Sequence, residues 1–111
     1  MSTAQILPGT LELLILRAVS FGSLHGYGVL RRIELLSSGA ILIEEGALYP
    51  ALWRLERQDL VSAVWGTSEN NRKAKFYSIT PKGKARLGEQ VAAWDRLVDA
   101  MDLVLGKKVT A

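Results

Sequence analysis

The sequence predicts an α+β, mainly helical fold: three short helices, a β-hairpin, and one longer helix at the end. Three observations support this. Apolar residues recur at helical spacing in "TLELLILRAV", "GYGVLRRIELL" and "GALYPALWRLERQ". Two β-branched and aromatic runs, "LVSAVW" and "AKFYSI", flank the polar loop "GTSENNRK". Finally, "TPKGKARL" opens a stretch whose apolar residues are spaced alternately four and three apart. At 111 residues the chain has room for one compact domain with a modest core, and not for two independent ones.

Composition narrows the class. With 49% hydrophobic and 23% charged residues the chain is globular, neither disordered nor membrane-embedded. It has no cysteine and one histidine, which removes disulfides, thiolate metal sites and a structural zinc site, so neither metal nor cofactor is expected. The N-terminal run "ILPGTLELLILRAV" is broken by Pro8, Gly9 and Glu12 and has no basic leader. It is expected to be a core helix and not a signal peptide or span, with the cytoplasm as the default compartment. No enzyme is expected either: "GYGVLR", Gly26 to Arg31, starts like a dinucleotide fingerprint but has Arg31 where the third glycine belongs, and no P-loop or nucleophile elbow is present.

Each element has local signals. Pro8, Gly9 and Thr10 start the first helix before Leu11, Leu14, Ile15 and Ala18, and Gly22 lies beyond its end. The second, from about Gly26 to Leu36, places Val29, Ile33 and Leu36 on one face and closes at "SSG". After the apolar linker "AILI" the third helix has Leu48, Leu52 and Leu55 inward, and it contains Pro50. A proline is tolerated in a helix's first turn, so the expected start is near Gly46, with Pro50 closing that turn. The N–H groups of residues 46–49 and the positive end of the helix dipole would then face a phosphate or a base edge, with Ala47, Tyr49, Pro50, Arg54 and Arg57 on the outer faces. The loop "GTSENNRK" is longer than a tight hairpin turn needs.

Thr80 is a cap and Pro81 a first residue for the last helix. Leu87, Val91, Trp94, Val98, Met101 and Leu105 form a heptad seam of about three repeats. That is more apolar surface than a small domain needs, so homodimerisation is expected, with residues 1–80 as the main domain and 81–111 as the dimerisation helix. Packing of the helix on its own domain is the alternative.

Charge is uneven. The net charge is +3, yet Arg54 to Arg86 holds eight of the 14 Lys and Arg residues against three of the 11 acidic ones. A basic middle segment suits a polyanion. The hairpin tip "NNRKAK" offers guanidinium and ammonium groups to phosphates, and Lys82 and Lys84, in a helix's first turn, call for a nearby anion. A merely solvated charged face would give the same composition. His25 is expected to cap or pack a loop, since nothing else in the chain would complete a ligand set.

Helix, helix, helix, hairpin, helix is the order of a winged helix-turn-helix. The segments "HGYGV", "GALYPALWRLE" and "NNRKAKFYSITPKGKARL" resemble the hallmark segments of the PadR-like transcriptional regulators, in the short form with a single C-terminal dimerisation helix. The resemblance covers about Leu7 to Leu105. It implies a cytoplasmic homodimer that binds double-stranded operator DNA and usually represses. It also implies that the third helix enters the major groove, the wing tracks the neighbouring backbone or minor groove, and the last helix builds the dimer with the first. By position, Tyr27, Gly46, Ala47, Tyr49, Pro50 and Arg54 fall on the recognition elements, and Asn71, Arg72, Lys73 and Lys75 on the wing. Many members carry hydroxyl residues on both sides of the glycine, where this chain has Glu45 and Ala47, so a different operator is expected. Some members bind aromatic compounds between subunits. Trp94 therefore has two readings, a stacking surface for a small aromatic effector or the largest residue of the seam. A winged-helix protein-interaction module without sequence-specific DNA binding is the alternative function.

Overall fold

The structure is a computed structural model that describes residues 9–107. Its elements run α1 (Leu11–Val19), β1 (Leu24–His25), α2 (Gly26–Leu36), α3 (Glu45–Arg57), β2 (Val61–Thr67), β3 (Lys73–Ile79) and α4 (Pro81–Leu105). The four helices and the hairpin are those expected, and Pro8 of the first start signal lies outside the described residues. The two-residue strand β1 was not expected. It pairs antiparallel with β3, Leu24 opposite Tyr77 and His25 opposite Phe76, giving a three-stranded sheet in the order β1-β3-β2. Two residues are too few to show alternation, so only the presence of β3 reveals them.

The hairpin is tighter than its sequence suggested. Val61 to Thr67 pair with Ile79 to Lys73, which leaves a five-residue loop, Ser68 to Arg72, in place of the eight-residue one expected. The Ser68 N–H donates to the Arg72 carbonyl (2.8 Å), the Asn71 N–H donates to the Ser68 carbonyl (2.9 Å), and Asn71 adopts a φ of 60°. Asn tolerates that left-handed turn better than most side chains. Lys73 and Lys75 consequently belong to a strand and not to a flexible tip.

The core joins Ile15, Leu16, Ala18 and Val19 of α1, Val29 and Ile33 of α2, Leu48, Ala51, Leu52 and Leu55 of α3, then Leu60, Val61, Tyr77 and Leu87. Leu36, expected on the inner face of α2, is exposed because the helix runs past the core there. The seam of α4 is also divided. Leu87 is buried in its own domain's core, so it is not part of a free dimer face. Val91, Trp94, Met101 and Leu105 are exposed, with Leu97 and Val104 beside them, and Val98 is half-buried. A 25-residue helix is about 37 Å long, and the 54 Å long axis of the molecule accommodates that length.

The start of α4 is fixed by several bonds to the α3–β2 junction. Thr80 Oγ1 accepts from the Gly83 N–H (2.9 Å), as the cap signal predicted, and donates to the Asp59 carbonyl (2.6 Å). The Thr80 N–H donates to the Leu60 carbonyl (3.1 Å). Gly83 lies so close that an added Cβ would collide with the Leu60 carbonyl oxygen and the Ile79 side chain. Gly88, one turn and a half along the same helix, would meet nothing. Gly83→Ala should therefore lower unfolding free energy by about 3 kcal/mol or more. Gly88→Ala should raise it by about 0.5–1 kcal/mol through helix propensity, and urea unfolding of the two variants side by side is the check.

Candidate nucleic-acid interface

The interface is built from the start of α2, the outer face of α3 and the wing formed by β2 and β3. At the start of α2 the Gly28 N–H donates to Nδ1 of His25 (3.0 Å), so His25 is the helix cap. Its ring meets Phe76 edge-on, centroids 5.4 Å apart, and its Nε2 lies 3.7 Å from Glu69 Oε1 at the wing loop. The histidine thus ties the helix start to the wing, as the capping expectation held.

Helix α3 begins one residue earlier than expected, at Glu45, with Glu44 as its cap position. Two corrections follow. The N–H groups of Ala47 and Leu48 both donate to the Glu44 carbonyl (3.0 and 3.2 Å), so they are not free for a ligand. Pro50 is the sixth helical residue, past the first turn, and its missing N–H leaves the Gly46 carbonyl without its usual helical donor. Both Gly46 and Pro50 are exposed, so water can take that bond and the cost of the proline is small. Pro50 does not mark the start of α3; it forms a flat part of its outer face.

That outer face carries Gly46, Pro50, Trp53 and Arg57, opposite the buried Leu48, Leu52 and Leu55. Trp53 is 60% exposed, and the Arg57 guanidinium stands over its ring, 5.1 Å from the centroid. Tyr49, toward the wing, leans across the start of α2, where its hydroxyl occupies the space a Cβ on Gly26 would need. Between α3 and the wing runs an open groove of about 580 Å³, lined among others by Tyr27, Tyr49, Trp65, Arg72, Lys73 and Lys75. Trp65 is 64% exposed and carries the Lys73 ammonium 5.5 Å from its centroid. Burial pushes the Tyr77 phenol above its ordinary 10.0, with Lys75 pulling the other way, so Tyr77 contributes a protonated hydroxyl to the groove wall.

The cations fall into two groups. Arg54 donates through Nε and Nη2 to Glu12 Oε1 (3.1 and 2.5 Å), Lys75 Nζ meets Glu56 Oε1 (3.1 Å), and Lys82 Nζ donates to the Gln58 carbonyl (3.0 Å). Lys82 is therefore met by a backbone carbonyl at the negative end of the α3 dipole and not by an anion. Arg57, Arg72 and Lys73 have no carboxylate partner among the described residues. Arg57 and Lys73 rest on tryptophan rings instead.

A family model, that of the transcriptional regulator PadR-like family, matches residues 15–89. The chain belongs to this family. It is 31% identical over 105 residues to an uncharacterised protein X of Lysinibacillus sphaericus, which covers 95% of this chain and 96% of that protein. The fold is similar to the crystal structure of a PadR-like transcriptional regulator from Bacillus cereus, with a TM-score of 0.75 and 28% identity over 92% of this chain and 97% of that one. A PadR family transcriptional regulator from Eggerthella lenta gives a TM-score of 0.75 with 31% identity, over 90% and 85% of the two chains. The family and these structures are of transcriptional regulators, so the chain is a DNA-binding regulator of winged-helix fold and not an enzyme.

In this PadR-like chain Tyr27, Gly46, Ala47, Tyr49 and Pro50 are exposed at the start of α2 and along α3, and Asn71, Arg72, Lys73 and Lys75 lie on the wing, with only Arg54 and Lys75 committed to internal carboxylates. Trp53 and Trp65 were not singled out from the sequence, although counting seven residues on from Gly46 along α3 leads to Trp53. No group of residues able to hold a metal ion occurs among the described residues, and none of their helices is long and apolar enough to cross a membrane. Replacing His25 by alanine removes the α2 cap and the wing contact together. The expected loss is about 1 kcal/mol of unfolding free energy, read from chemical denaturation.

Proposed function

We propose that this PadR-like regulator binds a pseudo-palindromic operator as a homodimer in the cytoplasm and represses transcription. The observation that carries the proposal is the placement of Arg57, Arg72 and Lys73, three cations without carboxylate partners on the outer face of α3 and the wing, while neighbouring cations are neutralised internally. Such groups are available to phosphates and base edges, and each phosphate neutralised releases counterions. Tyr27, Gly46, Ala47, Tyr49, Pro50 and Asn71 surround them as close-approach and polar contacts; Arg54 and Lys75, paired with Glu12 and Glu56, offer less net charge.

The exposed stripe of Val91, Trp94, Leu97, Met101, Val104 and Leu105 supports the dimer, since a monomer exposing so long a contiguous apolar face is uncommon. Two copies joined there carry two α3 helices, which is what a two-fold operator needs. A small planar aromatic effector is supported by the shallow groove around Trp94, lined also by Gly9, Thr10, Leu13, Gln90, Ala93 and Leu97. Among the described residues the side-chain oxygen of Gln90, which borders this groove, is buried without a donor.

Footprinting on the upstream intergenic DNA across a salt series tests the reading. A discrete symmetric footprint with steep salt dependence is expected; weak uniform binding would favour the protein-interaction module. Arg72→Ala and Lys73→Ala should each flatten the salt slope by about 0.9, whereas Lys75→Ala, already paired to Glu56, should change it less. Placing glutamate at both Leu97 and Met101 should yield a monomer by sedimentation and abolish the symmetric footprint. Titration with planar aromatics should quench tryptophan fluorescence in the parent and not in Trp94→Phe; equal quenching in both would remove the effector site.

A further inference from the structure

We propose that Trp53 and Arg57 form the base-reading pair of α3, recognising a guanine beside a thymine in each operator half-site. The inference rests on the operator-binding reading above and assigns the residues that give it sequence preference.

The geometry of α3 supplies the argument. With 3.6 residues per turn, Gly46, Pro50, Trp53 and Arg57 lie along one line, diametrically opposite the buried Leu48, Leu52 and Leu55. Residues at that pole go deepest when the helix enters a groove, whereas Tyr49 and Arg54 at its flanks face the groove walls. Gly46 and Pro50 keep the line low near the helix start, and Trp53 is its first large side chain. An indole 60% exposed on the pole opposite Leu48, Leu52 and Leu55 is not covering the core, and among the described residues its ring contact is the Arg57 guanidinium, 5.1 Å from the centroid.

Arg57 is suited to a base for two reasons. Its charge is not spent on a carboxylate: the adjacent Glu56 is taken by Lys75, and Arg54, one turn back, is taken by Glu12. Stacking on the indole also restricts the long side chain while leaving the edge N–H groups of the guanidinium open, in the planar fork that matches the O6 and N7 acceptors of guanine. A lysine would keep the charge and lose the fork. The exposed remainder of the Trp53 ring is apolar and fits the C5 methyl of thymine, the one apolar group on a major-groove edge. Charge and shape on this face are thus complementary to one occupant, the major groove of a G·C/T·A step.

The test uses the full chain and a library of random-sequence duplexes about three helical turns long. The parent should enrich a two-fold site with a guanine next to a thymine in each half. Arg57→Lys should lose about 5- to 150-fold on the enriched site and far less on unselected duplex. Replacing the enriched thymine by deoxyuridine should weaken the parent and leave Trp53→Ala unaffected. An Arg57→Lys chain that enriches the same site with the same affinity, or that loses affinity equally on all duplexes, would show a phosphate or structural role and overturn the proposal. A parent chain that enriches no sequence would overturn the operator reading itself, and the pair's role with it.

Discussion

The junction of α3, β2 and α4 is the constraint on which the rest of the molecule depends. Within four residues of chain, Thr80 binds the Asp59 and Leu60 carbonyls, Lys82 binds the Gln58 carbonyl, and Gly83 packs onto the Leu60 backbone. Asp59 turns through a φ of 60° to make this possible, closing α3 and opening β2. The Arg54, Leu55 and Glu56 carbonyls at the end of α3 are met by the N–H groups of Gln58, Leu60 and Asp59, and the carbonyls of Gln58, Asp59 and Leu60 that follow receive donors from the start of α4. The same threonine caps α4 and fastens it, so the direction of α4 and the orientation of α3 are set by a single knot.

Such a knot has a mechanical consequence. A rotation of α4 would press on the end of α3, because Gly83 lies against the Leu60 backbone with no side chain of its own to absorb the shift. Tertiary packing also leaves the far half of α4 outside the core, since Leu87 is its last fully engaged apolar residue. The domain thus has one closed core and one open apolar stripe, which is the surface division expected of a protein that completes itself with a second copy.

Electrostatics at the other end of the molecule follows a similar economy. The basic segment is not uniformly available: carboxylates from α1 and α3 neutralise Arg54 and Lys75, and backbone carbonyls hold Lys82. The exposed ion pairs add little to stability, since screening and side-chain entropy offset most of their attraction. Their effect is on availability, because they leave Arg57, Arg72 and Lys73 as the cations of α3 and the wing without a carboxylate partner among the described residues. Two of these are steadied by tryptophan rings, which hold charge in place without neutralising it.

Much of this was legible in the sequence because it is local. Capping and periodicity gave α2 its bounds, Thr80 and Pro81 gave α4 its start, and Leu48, Leu52 and Leu55 gave α3 its buried face, each through interactions within one turn of helix. The hallmark segments gave the family. What only the tertiary structure decided depends on contacts across the chain. Strand β1 exists because β3 is there to pair with it, and Leu87 is core because α4 packs back against α1. Arg54 is withdrawn by a carboxylate 42 positions away. No pattern within a window of sequence encodes these, because ion pairing, burial and strand pairing between distant segments depend on distances that exist only once the chain has closed on itself.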